Sequence, residues 1–270
     1  MRAPPTDGIR VAGSRRARLW TGGAMSPRFR PIVLCYHAVT DSWPDPLAVG
    51  AETIERQVNS LLLRGYRPAA AAQALEAANR VVHVTFDDAY RTVERALPRL
   101  ERLGVPATVF VCTAFADGGR PFALPRMLER AKGHEHELAT MDWDALRRLA
   151  RRGHEVGSHG VSHVDLTQLS ETELERELRE SKEHIESELR RPCRFIAYPY
   201  GADDARVHAA AREAGYVAGF TLAATPGPLD RYAIPRVDIY RRDGVVGATL
   251  KTSAARKPAA ALARIVGRRA

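Results

Sequence analysis

The feature that most constrains this chain is a regular alternation of short apolar runs with amphipathic segments of helical period. Pro31 to Tyr36 reads as a strand, and Thr53 to Arg64 as a helix with Ile54, Val58, Leu61 and Leu62 on one face. Val81 to Phe86 is the next strand, followed by a helix over Thr92 to Leu103 that Gly104 closes. Ala107 to Val111, Glu155 to Gly157, Arg194 to Tyr198 and Tyr216 to Thr221 continue the series of strands. Asp142 to Arg152, closed by Gly153, and Asp204 to Ala214, ended by Gly215, read as helices, as does the Ala-rich stretch Ala69 to Ala78. Ser170-Glu171-Thr172-Glu173 is a capping box that opens a longer helix to about Leu189, with Leu174, Leu178, Ile185 and Leu189 at helical spacing. No internal repeat is visible. The alternation predicts a parallel α/β architecture, a barrel or an incomplete one, and 270 residues suit one such domain with tails.

In parallel α/β barrels, chemistry collects at the carboxyl ends of the strands. Four polar or turn-forming groups fall there: Tyr36-His37, Asp87-Asp88, His159, and Tyr198-Pro199-Tyr200-Gly201. Taken singly, each has a plain structural explanation. Two Asp after a strand commonly cap a helix or build a turn, and a lone His-x3-His is more often exposed or hydrogen-bonded than metal-bound. Their joint order, spacing and strand-end position reverse that weighting. A carboxylate with His159 and His163 is a three-ligand set that leaves one metal position open to water. The neighbouring carboxylate is then free to act as a base, which suggests metal-assisted hydrolysis.

Charge narrows the class of substrate. The net charge of +9 resides at the ends: residues 1–30 hold seven Arg and one Asp, residues 241–270 hold eight Lys/Arg and one Asp, and 31–240 is mildly acidic. A nucleic-acid enzyme would carry its positive charge around the cleft, so no specific nucleic acid is expected. The expected organisation is a basic N-terminal arm over 1–30, a catalytic domain over 31–240 and a basic C-terminal tail over 241–270. The ends are read as solvated tails or as peripheral contacts with an anionic membrane surface. Arg15-Arg16-Ala17-Arg18 precedes only Leu19-Trp20 before polar and Gly residues return, so neither a secretory signal nor a spanning segment is evident. The expected location is cytoplasmic or at the inner membrane surface. Three Cys without metal-site spacing, with Cys35 and Cys112 in apolar runs, read as small core residues.

Phe86-Asp87-Asp88, then Gly153-His154-Glu155-Val156-Gly157-Ser158-His159 with His163, then Tyr198-Pro199-Tyr200-Gly201 resemble, in that order, the motifs of the polysaccharide deacetylases with a NodB-homology domain, carbohydrate esterase family four. The resemblance runs from about Ile32 to Tyr240. It implies a distorted (β/α) barrel that hydrolyses acetyl groups on sugars, usually with zinc or a similar divalent ion. Carried over, Asp88, His159 and His163 would be the metal ligands and Asp87 the general base, with the backbone N–H of Tyr200 helping to hold the oxyanion.

This chain departs from the family pattern in three places. The third motif usually has an Arg two residues before its Pro, where it orients the base, and here that position is Ala197. The Asp-Trp of a fourth motif is not evident; Ile234-Pro235-Arg236-Val237-Asp238 occupies the region, and Arg236 is either the replacement guanidinium or a surface arginine. A fifth motif with a general-acid histidine is missing, since no His follows His208. His37 is then the remaining candidate acid, the alternative being a hydrogen-bonded residue behind the site. His83 is expected in the core, His208 as structural, and His134, His136, His154 and His184 at the surface or capping. The resulting expectation is a metal-dependent deacetylase of an N-acetylated sugar in an oligosaccharide, polysaccharide or lipid-linked glycan. An O-acetyl esterase and a catalytically impaired carbohydrate-binding module are the alternatives.

Overall fold

The structure is a computed structural model that describes residues 31–77, 79–222 and 230–254. In chain order its elements are β1 (Ile32–Tyr36), α1 (Ala51–Leu63), β2 (Arg67–Pro68), α2 (Ala71–Glu76), β3 (Val81–Phe86), α3 (Leu97–Arg102), β4 (Ala107–Val111), α4 (Pro125–Arg130), α5 (Trp143–Arg151), β5 (Glu155–Ser158), α6 (Glu171–Leu189), β6 (Phe195–Ala197), α7 (Ala205–Glu213), β7 (Ala218–Thr221), β8 (Ile234–Pro235), β9 (Val237–Asp238) and α8 (Gly244–Ala254). The strands form one parallel sheet in the order β8-β7-β6-β5-β4-β3-β1-β9, with β2 added beside β3. This is the parallel α/β barrel expected from the alternation, in the distorted (β/α) form that the family resemblance implies. Among the described residues, no helix is long and apolar enough to cross a membrane.

The barrel closes in an unusual way. β8 pairs with β7 and β9 pairs with β1, yet the two short strands are consecutive, separated only by Arg236. One extended segment thus bonds to one edge of the sheet with its first half and to the other edge with its second. The Arg236 N–H donates to the Thr221 carbonyl at 3.0 Å, and the Ile239 N–H donates to the Cys35 carbonyl at 3.0 Å. Closure leaves fewer open edges for unwanted pairing.

Strand period sorts the side chains. Ile32, Leu34 and Tyr36 of β1, with Val82, Val84 and Phe86 of β3, face outward into the main core beneath the helices. Val33, Phe110, Phe195, Ala197, Phe220 and Ile234 fill the barrel, where Ala71 and Leu75 of α2 join the same cluster. Packed rings, Phe110–Phe220 at 5.6 Å and Phe195–Phe220 at 6.0 Å, make a solid floor. The next inward layer lies above that floor, and it carries the polar residues.

Helix starts follow local chemistry. Asp142 accepts from the Ala145 N–H, Asp204 accepts from the Val207 N–H, and Ser170 forms the capping box with Glu173. The helix expected over 92–103 is instead a 3-10 turn, Arg91–Arg95, followed by α3. Pro98 explains the break, because proline suits the first turn of a new helix and not the interior of an old one. The strands near 194–198 and 216–221 are shorter than expected, and α4 lies in a stretch assigned no element from sequence.

The expected tail over 241–270 also needs correction for its first part. Residues 244–254 form α8, which buries Ala248 and Thr252 against α1. Gln57 Nε2 donates to the Gly244 carbonyl, and the Arg64 guanidinium donates to Thr252 and Ser253. Two glycines and a run of β-branched residues hide this helix from periodicity, and docking onto α1 supplies what propensity lacks. The arm over 1–30 and the remainder of the tail lie outside the described residues.

Candidate active site

Inward alternation carries Cys35 and His37 from β1, Asp87 from the end of β3, His159 from the end of β5, and Arg236 and Asp238 from the closing segment to one end of the barrel. Asp88, which follows Asp87, turns into the same place by adopting a left-handed conformation (φ 64°). His163 (φ 59°) and Tyr200 (φ 61°) do likewise. Five non-glycine residues have positive φ among the described residues, and three of them are these. Strained backbone of this kind persists where surrounding structure holds it, and it clusters at functional sites.

Asp88, His159 and His163 each offer a ligand atom within 4.8 Å of the others, and all three are buried. Asp88 Oδ1 lies 3.6 Å from His159 Nε2 and 3.3 Å from His163 Nε2. That oxygen is buried and accepts no hydrogen bond. His159 Nδ1 donates to the Ala197 carbonyl at 2.7 Å, which leaves its Nε2 with a lone pair facing Asp88. The His163 ring packs edge-on against Phe122, His159 and Tyr200. Burial holds His159 below the usual imidazole range and takes His163 down to about 2, with repulsion from His159 adding to the latter. Burial and the neighbouring Asp87 push the Asp88 carboxyl up.

Asp87 has a different environment. Arg236 Nη1 donates to its Oδ1 at 2.6 Å and Nη2 donates to its Oδ2 at 2.8 Å, a two-pronged clamp. Arg236 Nη1 also reaches Thr85 Oγ1, and Cys35 Sγ donates to Asp87 Oδ2 at 3.4 Å. The guanidinium carbon sits 5.6 Å from the Phe110 ring centre, so the barrel floor supports the clamp from below. Burial alone would raise the Asp87 carboxyl, but Arg236 first and His159 next hold it well below the usual carboxylate range. Arg236 answers in kind: burial would lower it, and Asp87 holds it up. The pair is fully desolvated, with both side chains almost inaccessible.

An open cleft of about 710 Å³ leads to these groups. Its lining includes His37, Leu47, Phe122, Leu124, Met127 and Tyr200. Tyr200 is half exposed, and the Arg126 guanidinium lies 6.0 Å from its ring centre. The structure brings together every residue singled out from sequence: Asp87, Asp88, His159, His163 and Arg236 in the buried layer, His37 and Tyr200 on the cleft wall.

Some expectations about histidines need adjusting. His83 is in the core as expected, bonded to the Ala69 carbonyl and Thr108 Oγ1. His154, expected at the surface or as a capping residue, is buried: its Nδ1 accepts from the Ala107 N–H and its Nε2 meets Glu101. Two bonds of this kind satisfy a buried imidazole fully.

Sequence reading missed Glu177 and the α4 wall. Glu177 accepts from the Val161 and Ser162 N–H groups and from Ser162 Oγ, pinning the loop that aims His163. A signal was present, because Glu177 falls among the buried apolar positions of α6, beside Leu174 and Leu178. The wall made by α4 and the segment leading into it left no such signal, since Phe122, Leu124 and Met127 belong to a stretch without clear period.

Comparison with known proteins adds to this geometry. The family described as polysaccharide deacetylase matches residues 74–219. YxkH of Bacillus subtilis (strain 168), a polysaccharide deacetylase by name, is 26% identical over 219 residues, 77% of this chain and 70% of that protein. The poly-beta-1,6-N-acetyl-D-glucosamine N-deacetylase of Staphylococcus aureus (strain MSSA476) is 30% identical over 165 residues, 58% of this chain. The chain spans only 54% of that relative's length. IcaB from Ammonifex degensii superposes with a TM-score of 0.70 over 85% of this chain and 98% of its own, at 22% identity, which is a likeness of fold.

Proposed function

The chain belongs to the polysaccharide deacetylase family, and from that premise we propose that it is a metal-dependent hydrolase removing the acetyl group from an N-acetylated sugar. The sugar stands in an oligosaccharide, a polysaccharide or a lipid-linked glycan. The observation that carries the reading is the buried Asp88, His159 and His163 cluster beside an ionised Asp87 at the base of a sugar-sized cleft.

The donor set suits a divalent ion, zinc foremost. Asp88 Oδ1 is buried with no hydrogen-bond partner, the His159 lone pair is turned toward it, and burial favours neutral imidazoles, the form that binds metal. Bound there, a divalent ion would lower the pKa of a water toward ~7 and polarise the acetyl carbonyl. The remaining steps fall to the chain's own groups. Asp87, kept as a carboxylate by Arg236, takes the proton of the attacking water. The guanidinium fork also fixes the carboxylate plane, which a lysine ammonium would not do.

The backbone N–H of Tyr200 is the donor for the oxyanion of the tetrahedral intermediate. Its neighbours Gly201 and Ala202 spend their N–H groups on Tyr198 and Pro199 within the turn. One such donor is worth ~3–4 kcal/mol in the transition state. His37, on the cleft wall, protonates the leaving nitrogen as the C–N bond breaks, so that acetate and a free amino sugar depart. The exposed Tyr200 ring and the apolar wall at Leu124 and Met127 give the sugar ring a stacking face.

The test is incubation of metal-loaded protein with a panel of N-acetylated oligosaccharides and lipid-linked sugars, measuring acetate and new primary amine together. Equal yields of the two from at least one member are expected. Acetate without amine would instead make the protein an O-acetyl esterase, and no acetate from any member with metal bound would refute the reading.

A further inference from the structure

A second group of metal-binding side chains lies on the other flank of Asp87. Cys35, His37 and Asp238 each present a ligand atom within 4.8 Å of the others. Strand geometry builds this group. Cys35 and Asp238 are register partners across the parallel β1–β9 pair, so their side chains leave the sheet on the same face, and His37 is two residues beyond Cys35 on that face. Two polar atoms here are buried without hydrogen-bond partners, His37 Nδ1 and Asp238 Oδ1. Buried polar atoms are rarely left unsatisfied, and two within one small cluster call for a shared partner.

We propose that Cys35, His37 and Asp238 form a second transition-metal site, distinct from the Asp88, His159 and His163 cluster, whose occupation shuts the enzyme down. Sulfur, imidazole nitrogen and carboxylate oxygen together select a zinc- or cobalt-like ion over magnesium or calcium. Access is from the cleft, since His37 and Asp238 line it and Cys35 lies behind them. Binding transfers the Cys35 thiol proton to solvent and leaves a thiolate on the ion. The thiolate, Asp238 and Asp87 then set three negative charges against the single positive charge of Arg236, and a divalent ion offsets the excess of two. In the free protein the Cys35 thiol is fully buried and donates to Asp87 Oδ2, a bond that metal binding must break, so the site is the weaker of the two and fills at higher metal concentration. Once filled, it engages the imidazole of His37 and removes that group from proton transfer.

Cobalt(II) separates this idea from the catalytic proposal, because a thiolate ligand gives an intense near-ultraviolet charge-transfer band that an Asp/His/His site cannot produce. Metal-free protein titrated with Co²⁺ is expected to bind two ions per chain, with the thiolate band growing in as the second binds. Cys35→Ser should bind one ion and show no band. His159→Ala/His163→Ala should also bind one ion but keep the band. Should Cys35→Ser fail to fold by circular dichroism, Asp238→Asn serves in its place, with the second ion lost. Wild-type protein that saturates at one ion without the band, or Cys35→Ser with an unchanged band, overturns the proposal. Only the inhibition rests on the role of His37: acetate release should fall as the band rises, and full activity with two ions bound would overturn that part alone.

Discussion

Replacing Arg236 by Met tests how Asp87, the proposed base, is held, since Met keeps much of the side-chain volume and removes only the charge and the fork. The clamp is a fully desolvated two-pronged pair with bonds of 2.6 and 2.8 Å. Removing one partner of such a pair costs ~3–5 kcal/mol, because the other charge stays buried and uncompensated. That is a large share of the ~5–15 kcal/mol by which a domain is stable. The pH dependence is the sharper signature. In the wild type the Asp87 carboxyl is held below its unfolded value of about 3.9, so its contribution is present above that pH and is lost as pH falls through the folded value. Without Arg236, burial, which His159 and His37 oppose only in part, carries the carboxyl above about 3.9. The sign then reverses: the unfolded state releases the proton first, and the variant loses stability as pH rises from about 4. The gap between the two proteins should therefore widen with pH. Urea denaturation of both proteins, treated with chelator, at steps from acid to neutral pH measures it directly. A constant gap, or one below ~1 kcal/mol as for an exposed pair, would refute the reasoning. Asp87→Asn in the Arg236→Met background should recover much of the loss.

Three further outcomes are expected. Asp87→Asn should abolish acetate release and leave metal content nearly unchanged, because a carboxamide cannot take the proton of water; loss of metal by elemental analysis would make Asp87 a ligand instead. The His159→Ala/His163→Ala variant should lose the catalytic ion, read as retention of acetate release only at background level and one metal fewer per chain. Gly157→Ala should destabilise by ~1–3 kcal/mol in thermal or urea unfolding, since the added methyl would sit 2.5 Å from the Phe110 ring and 3.0 Å from the Phe195 carbonyl in the barrel floor.

Much of this protein was legible in the residues alone, for a physical reason. Strand period and helix period are local, so β1, β3, β4 and β5 and the helices opened by Asp142, Ser170 and Asp204 could be read from short windows. Once strand ends were located, Asp87, Asp88 and His159 had to share one end of the sheet, because parallel strands point the same way. His163 followed from its spacing. The Arg236 clamp is another matter. It joins residues 149 positions apart, and it forms because the closing segment splits between two sheet edges and turns Arg236 inward above Phe110. No local window carries that information; it arises from how many strands the barrel holds and how they are staggered. The same closure sets Asp238 beside Cys35 and His37, and docking on α1 makes a helix of the weakly periodic 244–254. Sequence alone determined which groups stand at the mouth of the barrel. The tertiary structure decided how those groups are paired, because pairing depends on the closure of the sheet and closure is a property of the whole chain.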